Sequence, residues 1–186
     1  MNIEAIKARY QQHLFRSRTE ARWAVFFDQM QISWEYEPEG FVLEGGTPYL
    51  PDFWLQDFGL FVEIKGFLPT GNELKKCKVL QEGTGRGVVL FRGIPGARHG
   101  IPFLWDTTDS SGGTYGGDDC YFMICNGHLC LVVEDMRGDR QMYVTDTFES
   151  NWRVITATEA IDRGTSNYDR DVLETAYLTA KSKRFW

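Results

Sequence analysis

Three charged residues stand where the hydropathy pattern calls for buried strands: Asp52, after Pro51, and Glu63 and Lys65, either side of Ile64. Burying a charge is expensive unless it is paired or bound to a metal. Two hard carboxylates and a backbone carbonyl make a donor set suited to Mg²⁺, which prefers oxygen and keeps several waters. Such an ion polarises a phosphoryl oxygen and lowers the pKa of a bound water. A neighbouring lysine can orient that water or neutralise charge developing on phosphorus. The plainer alternative is a buried Glu63–Lys65 pair with a turn aspartate at 52.

The surrounding elements must bring these residues together. Over 60–65, alternation puts Leu60, Val62 and Ile64 on one face of a strand and Phe61, Glu63 and Lys65 on the other. The run at 48–56 is a second strand. Pro51 cannot donate to a ladder, so it marks a bulge or an edge where Asp52 can turn toward Glu63. Strands at 33–37 and 41–44, separated by turns at Pro38–Gly40 and Gly45–Gly46, lead into this pair as an antiparallel meander. Ahead of them, Trp23, Phe26, Phe27 and Met30 carry helical spacing over 18–31, and Glu20 lies on their apolar face. Two roles are open for Glu20. Ser17-x-x-Glu20 matches a capping box, and the same position aims an acid at a site. Residues 2–14 read as a further amphipathic helix.

After the lysine, 70–82 reads as a helix capped at Thr70 or Asn72, and Val88–Phe91 as a buried strand. The glycines at 83, 85 and 87 follow a helix and precede a strand, the reverse of a dinucleotide-binding turn. The glycine-dense stretch 92–119 reads as a loop or linker. Beyond it, Asn126-Gly127 between two apolar runs predicts a two-residue hairpin that pairs Cys125 with His128 and Met123 with Cys130. Cys125, His128 and Cys130 would then share a face. A zinc site there is set aside, because the spacing is not C-x-x-C and buried thiols explain the pattern. Strands near 141–145 and 151–156 and a helix over 168–184 complete the chain. Lys181, Lys183 and Arg184 at that helix's end suit its dipole.

The 186 residues allow one full domain, and 42% apolar with 15% aromatic residues indicates a globular core rich in large rings. No run is long enough to span a membrane. The polar start carries no secretory signal, and four cysteines without one argue against a disulfide framework, so the expected location is cytoplasmic. A net charge of −6 argues against tight, non-specific nucleic-acid binding.

Pro51-Asp52, ten intervening residues, then Glu63-Ile64-Lys65, with a helix bearing Glu20 before and a helix and strand after, resembles the PD-(D/E)xK nuclease superfamily. The resemblance covers about 17–92. It implies an α/β fold with a restriction-endonuclease-like αβββαβ core. The core motif does not explain the region from 100 onward, which is expected to be a β-hairpin-rich C-terminal elaboration, so that the chain is divided as 1–98 and 99–186 but packed as one domain. The resemblance implies an endodeoxyribonuclease that takes Mg²⁺, with Mn²⁺ as a substitute. Asp52, Glu63, the Ile64 backbone carbonyl and Glu20, the last directly or through water, would hold the metal. Lys65 would assist hydrolysis, and Gln81 is a further candidate on the helix after the lysine. DNA is the expected partner, with a second copy or a recruiting protein beside it. The competing expectation is a non-catalytic DNA- or protein-binding module on the same scaffold.

Overall fold

A computed structural model describes residues 5–96, 100–105, 114–116, 119–125, 128–134, 140–144, 153–156 and 170–185. The protein is a mixed α/β structure built on a mostly antiparallel sheet with helices against it. The chain enters through a hairpin, β1 (Ala8–Tyr10) and β2 (His13–Phe15), and passes at once into α1 (Arg18–Gln29). β3 (Trp34–Tyr36) follows, then a small separate hairpin of β4 (Phe41–Leu43) and β5 (Thr47–Tyr49). β6 (Phe53–Leu55), a 3-10 turn and β7 (Leu60–Lys65) lead to α2 (Gly71–Thr84) and β8 (Gly87–Arg92). The rest comprises β9 (Gly100–Trp105), β10 (Thr114–Gly116), β11 (Asp119–Cys125), β12 (His128–Glu134), β13 (Arg140–Val144), β14 (Arg153–Thr156) and α3 (Arg170–Ser182).

Among the described residues the main sheet has ten strands, ordered β14-β13-β12-β11-β9-β8-β7-β6-β3, with β10 beside β9. Among the described residues only the β7–β8 pair is parallel, and α2 makes the crossover that a parallel pair needs. Period-2 alternation sorts the sheet's two faces. Leu60, Val62 and Ile64 of β7, with Val89 and Phe91 of β8, pack toward α1 and α3 around buried Trp23, Phe26 and Phe27. Phe61, Val88 and Leu90 pack on the other face against Cys77 and Leu80 of α2. Among the described residues no helix is long and apolar enough to cross a membrane.

The local signals explain most elements. Ser17 caps α1, its hydroxyl oxygen accepting from the Glu20 N–H at 3.1 Å. Thr70 and Glu73 form a full capping box on α2, and Gly85 ends that helix in the left-handed conformation that glycine adopts freely. The β11–β12 register pairs Cys125 with His128 and Met123 with Cys130, as the hairpin signal predicts. The Asn126-Gly127 turn itself and the side chains of Cys125 and His128 lie outside what is described. Cys120, of opposite parity, packs with Phe122, Leu131 and Val133 in the core on the helix side.

Three expectations fail. The helix over 2–14 is instead the β1–β2 hairpin within the described residues, because Ile6 and Leu14, half of its supposed stripe, face solvent while Ala8 and Phe15 are buried. The meander is interrupted: β3 pairs with β6, and β4–β5 forms its own sheet between them in sequence. The stretch 92–119 contains β9 and β10, with β9 joined to β8 and β11. Gly100 serves close packing in that strand, since a Cβ there would lie 2.6 Å from the Cys120 carbonyl oxygen and 2.9 Å from the Phe91 ring. Gly100→Ala should therefore destabilise the protein by about 1–3 kcal/mol, as overpacking does. The check is a lower urea midpoint at unchanged slope.

Candidate active site

The β6–β7 ladder runs from Leu55↔Leu60 to Phe53↔Val62 and stops. Pro51, with no N–H to give, lies just outside β6, and from Asp52 outward the two strands part. The gap is closed by a side chain: Asp52 Oδ2 accepts the Ile64 N–H at 2.7 Å, in the place of a ladder bond. In an extended strand the N–H and C=O of one residue point to the same side, so the Ile64 carbonyl is directed to this gap too. The Asp52 carbonyl accepts from the Glu37 N–H at 2.9 Å, which fixes the backbone there.

Around the gap lies an open cleft of about 730 Å³. Glu20, Asp52, Glu63, Ile64 and Lys65 all line it, together with Arg16, Lys76 and the β4–β5 hairpin residues Phe41, Pro48 and Tyr49. Asp52, Glu63 and Glu20 are all buried. Gln81 is buried on α2 but is not among the residues lining the cleft.

Each carboxylate is held by specific donors. Glu63 Oε1 pairs with Lys65 Nζ at 2.6 Å, and Glu63 Oε2 accepts from the Tyr49 hydroxyl at 2.8 Å. Glu20 sits at the helix cap and lines the cleft, without closing the expected capping box. Oε1 accepts from the Ser17 hydroxyl at 2.7 Å, while Oε2 accepts from the Tyr36 hydroxyl at 2.7 Å and the Arg16 N–H at 3.1 Å. The capping exchange is thus shifted by one residue, to the N–H of Arg16, and the carboxylate still reaches the cleft. Asp52 Oδ1 carries the Arg16 guanidinium.

A comparison with family models, curated proteins and solved structures finds no match.

Burial, with the Glu63 and Glu20 charges, pushes the Asp52 carboxyl well above the usual carboxylate range, against the pull of the Ile64 N–H and Arg16. Burial alone would lower the Lys65 ammonium, but Glu63, Asp52 and Glu73 outweigh it and hold the amine above its ordinary value. Lys65 is thus a cation near neutral pH, with Glu73 of α2 as its second partner at 3.4 Å. Cys77, next to Tyr49, is pushed up to about 12 by burial and by Glu63, so it is no nucleophile.

Among the described residues no three His, Cys, Asp or Glu side chains are grouped closely enough to hold a metal ion as they stand. A Mg²⁺ site does not require three, because that ion is commonly held by one or two carboxylates with waters and substrate phosphate. Asp52, Glu63 and the Ile64 carbonyl fit that donor set, and each carboxylate oxygen of Asp52 and Glu63 retains lone-pair capacity beyond the bonds described. Three buried carboxylates line the cleft with Arg16, Lys65 and Lys76, so acidic and basic side chains are equal in number there.

Sequence reasoning missed Arg16, Tyr36, Tyr49, Glu73 and Lys76. Tyr49 had a usable signal, lying on the run that carries Asp52. Arg16 and Tyr36 had none, since their roles depend on contacts with residues 36 and 16 positions away.

Proposed function

We propose that the protein is a metal-dependent nuclease hydrolysing DNA phosphodiester bonds. The observation that carries this is the strand gap at Asp52. A buried carboxylate closes a ladder against Ile64 N–H, and Glu63 and Lys65 line the same cleft. The element order α1-β3-β6-β7-α2-β8, with β4–β5 as an insertion, supports a restriction-endonuclease-like αβββαβ core. Asp52, Glu63 and the Ile64 carbonyl would hold Mg²⁺ or Mn²⁺, with Glu20 behind them through water. Bound there, the ion would supply Lewis acidity and an activated water.

The protein's own groups do the rest. Lys65, kept charged by Glu63 and Glu73, places a fixed cation where negative charge grows on phosphorus. Tyr49 and Tyr36 orient Glu63 and Glu20 by donating to one oxygen of each. Lys76 and Arg16 at the cleft provide cations for the flanking phosphates, although the chain as a whole is acidic.

The test is incubation with supercoiled, linear, single-stranded and branched DNA in Mg²⁺, Mn²⁺ or EDTA. Cleavage is expected with either metal and none with EDTA. Lys65→Ala should slow it by about 10²-fold, the lower range for a positioned catalytic group. Cleavage of none of these substrates by the wild type, or equal rates in Lys65→Ala, would overturn the assignment. A second reading, a binding module on the same scaffold, is favoured by the Asp52–Arg16 and Glu63–Lys65 ion pairs, which give each carboxylate a cationic partner within the protein. It predicts DNA or protein binding indifferent to both EDTA and Lys65→Ala.

A further inference from the structure

We infer that Arg16 is a built-in counter-ion of the cleft, balancing Asp52 until a divalent cation takes that carboxylate and then turning to a substrate phosphate. The inference rests on the metal-dependent function proposed above.

The backbone and side chain of Arg16 do separate jobs. Its N–H donates to Glu20 Oε2 and to the Tyr36 hydroxyl, both at 3.1 Å, just before the Ser17 cap of α1. The base of the residue is therefore fixed by contacts that any side chain would keep. Its guanidinium reaches Asp52 with Nη2 and Glu37 Oε1 with Nε at 2.9 Å. The Arg16 side chain is 52% exposed, whereas Asp52 is only 4% exposed. One partner of the pair is thus locked in the protein and the other is a long, half-solvated arm at the cleft.

That asymmetry points to exchange. Water can take over the hydrogen bonds of the half-exposed guanidinium when it leaves the carboxylate, and the long side chain regains freedom. Asp52 lines one cleft with two other buried carboxylates, Glu20 and Glu63, a cluster of oxygens suited to a divalent cation. A divalent cation on Asp52 competes with the guanidinium for the carboxylate and repels it. Glu37, 31% exposed at the outer side, then keeps the arm near the cleft. The planar fork of arginine matches two phosphate oxygens, which a lysine cannot match in the same way.

The test uses the full chain, with Mn²⁺ as the probe. Calorimetric titration compares wild type with Arg16→Gln and Arg16→Met, which remove the charge at similar length, and with Arg16→Lys, which keeps it. Removing the charge is expected to tighten Mn²⁺ binding on the order of tenfold, roughly the worth of one charge-assisted hydrogen bond. The Mn²⁺-induced rise in melting temperature should grow in parallel. Arg16→Lys should stay near wild type in metal affinity. The same charge-removing variants should raise KM for DNA. If the ion pair is merely structural, its loss lowers stability equally with and without Mn²⁺ and leaves the Mn²⁺ affinity unchanged. Equal Mn²⁺ affinity in wild type and both neutral variants would overturn the counter-ion role while leaving the nuclease assignment intact. An unchanged KM would overturn the phosphate contact. Failure of every form, wild type included, to bind Mn²⁺ would overturn both the inference and the function it rests on.

Discussion

Asp52→Asn is expected to abolish cleavage while making the metal-free protein more stable. Under the proposed chemistry Asp52 is the carboxylate that both anchors the cation and braces Ile64, so its charge is needed for metal. Losing Lewis-acid assistance worth several kcal/mol lowers the rate by about 10³-fold or more. Asparagine keeps the shape and an oxygen that can accept the Ile64 N–H, the 2.7 Å bond that closes the strand gap. The stability change follows from the sign of the carboxyl's shift. Burial, Glu63 and Glu20 raise the Asp52 pKa in the folded protein above its unfolded value. Its ionised form is therefore disfavoured by folding: its stabilising contribution is full below the unfolded pKa and is lost as pH rises through the folded one. Near neutral pH an uncharged isostere removes that opposition, at the expense of the Arg16 pair. A net gain of about 1 kcal/mol raises the melting temperature by roughly 2–4 °C in a chain of this size. Thermal melts in EDTA and cleavage assays in Mg²⁺ check the two halves separately. Retained cleavage removes Asp52 from the metal set, and a lower melting temperature in EDTA shows that the Arg16 pair outweighs carboxylate crowding.

The contrast between Asp52 and Arg16 shows which parts of the site are visible in the chain. Asp52, Glu63 and Lys65 are charges inside apolar runs, a local contradiction that only burial with a partner resolves, and all three line one cleft. Arg16 contradicts nothing locally. It precedes a helix cap in a polar stretch and acquires its partner only when β6 is brought beside the start of α1. Tyr36 and Tyr49 are ordinary strand aromatics until their hydroxyls meet Glu20 and Glu63.

The fold divides in the same way. α1, α2 and β7 carry caps or strict alternation, so their type and limits are set by nearby residues. The β1–β2 hairpin is three residues a side, too short for its alternation to stand against a loose helical spacing of Ile6 and Leu14. β9 was concealed by glycine. Gly100 has a tertiary cause, the close approach of β11, which no neighbouring residue announces. The β4–β5 insertion is likewise a matter of which strands meet, and β3 reaches β6 across it.

Trp23→Ala should give the largest loss of stability among single substitutions near the site, and Trp23→Phe should separate packing from positioning. Trp23 is fully buried and stacks on Phe91 with ring centroids 4.3 Å apart. Its indole N–H donates to the Gly93 carbonyl at 2.9 Å, and the Gly93 N–H donates to the Lys65 carbonyl at 2.7 Å. One side chain thus ties α1, three residues after Glu20, to the end of β8 and through it to the lysine. Truncation to alanine removes a large ring from a close-packed core and costs about 3–5 kcal/mol. That is a large share of the roughly 5–15 kcal/mol that holds a domain folded. Phenylalanine keeps most of the stack but leaves the part-buried Gly93 carbonyl without its donor, at about 1 kcal/mol. Urea midpoints should therefore fall in the order wild type, Trp23→Phe, Trp23→Ala. With folded Trp23→Phe, cleavage should drop several-fold at saturating Mg²⁺, because the Lys65 end of β7 loses its tether while every cleft residue remains. Full activity in a destabilised Trp23→Phe would show that Gly93 holds Lys65 in place without the indole.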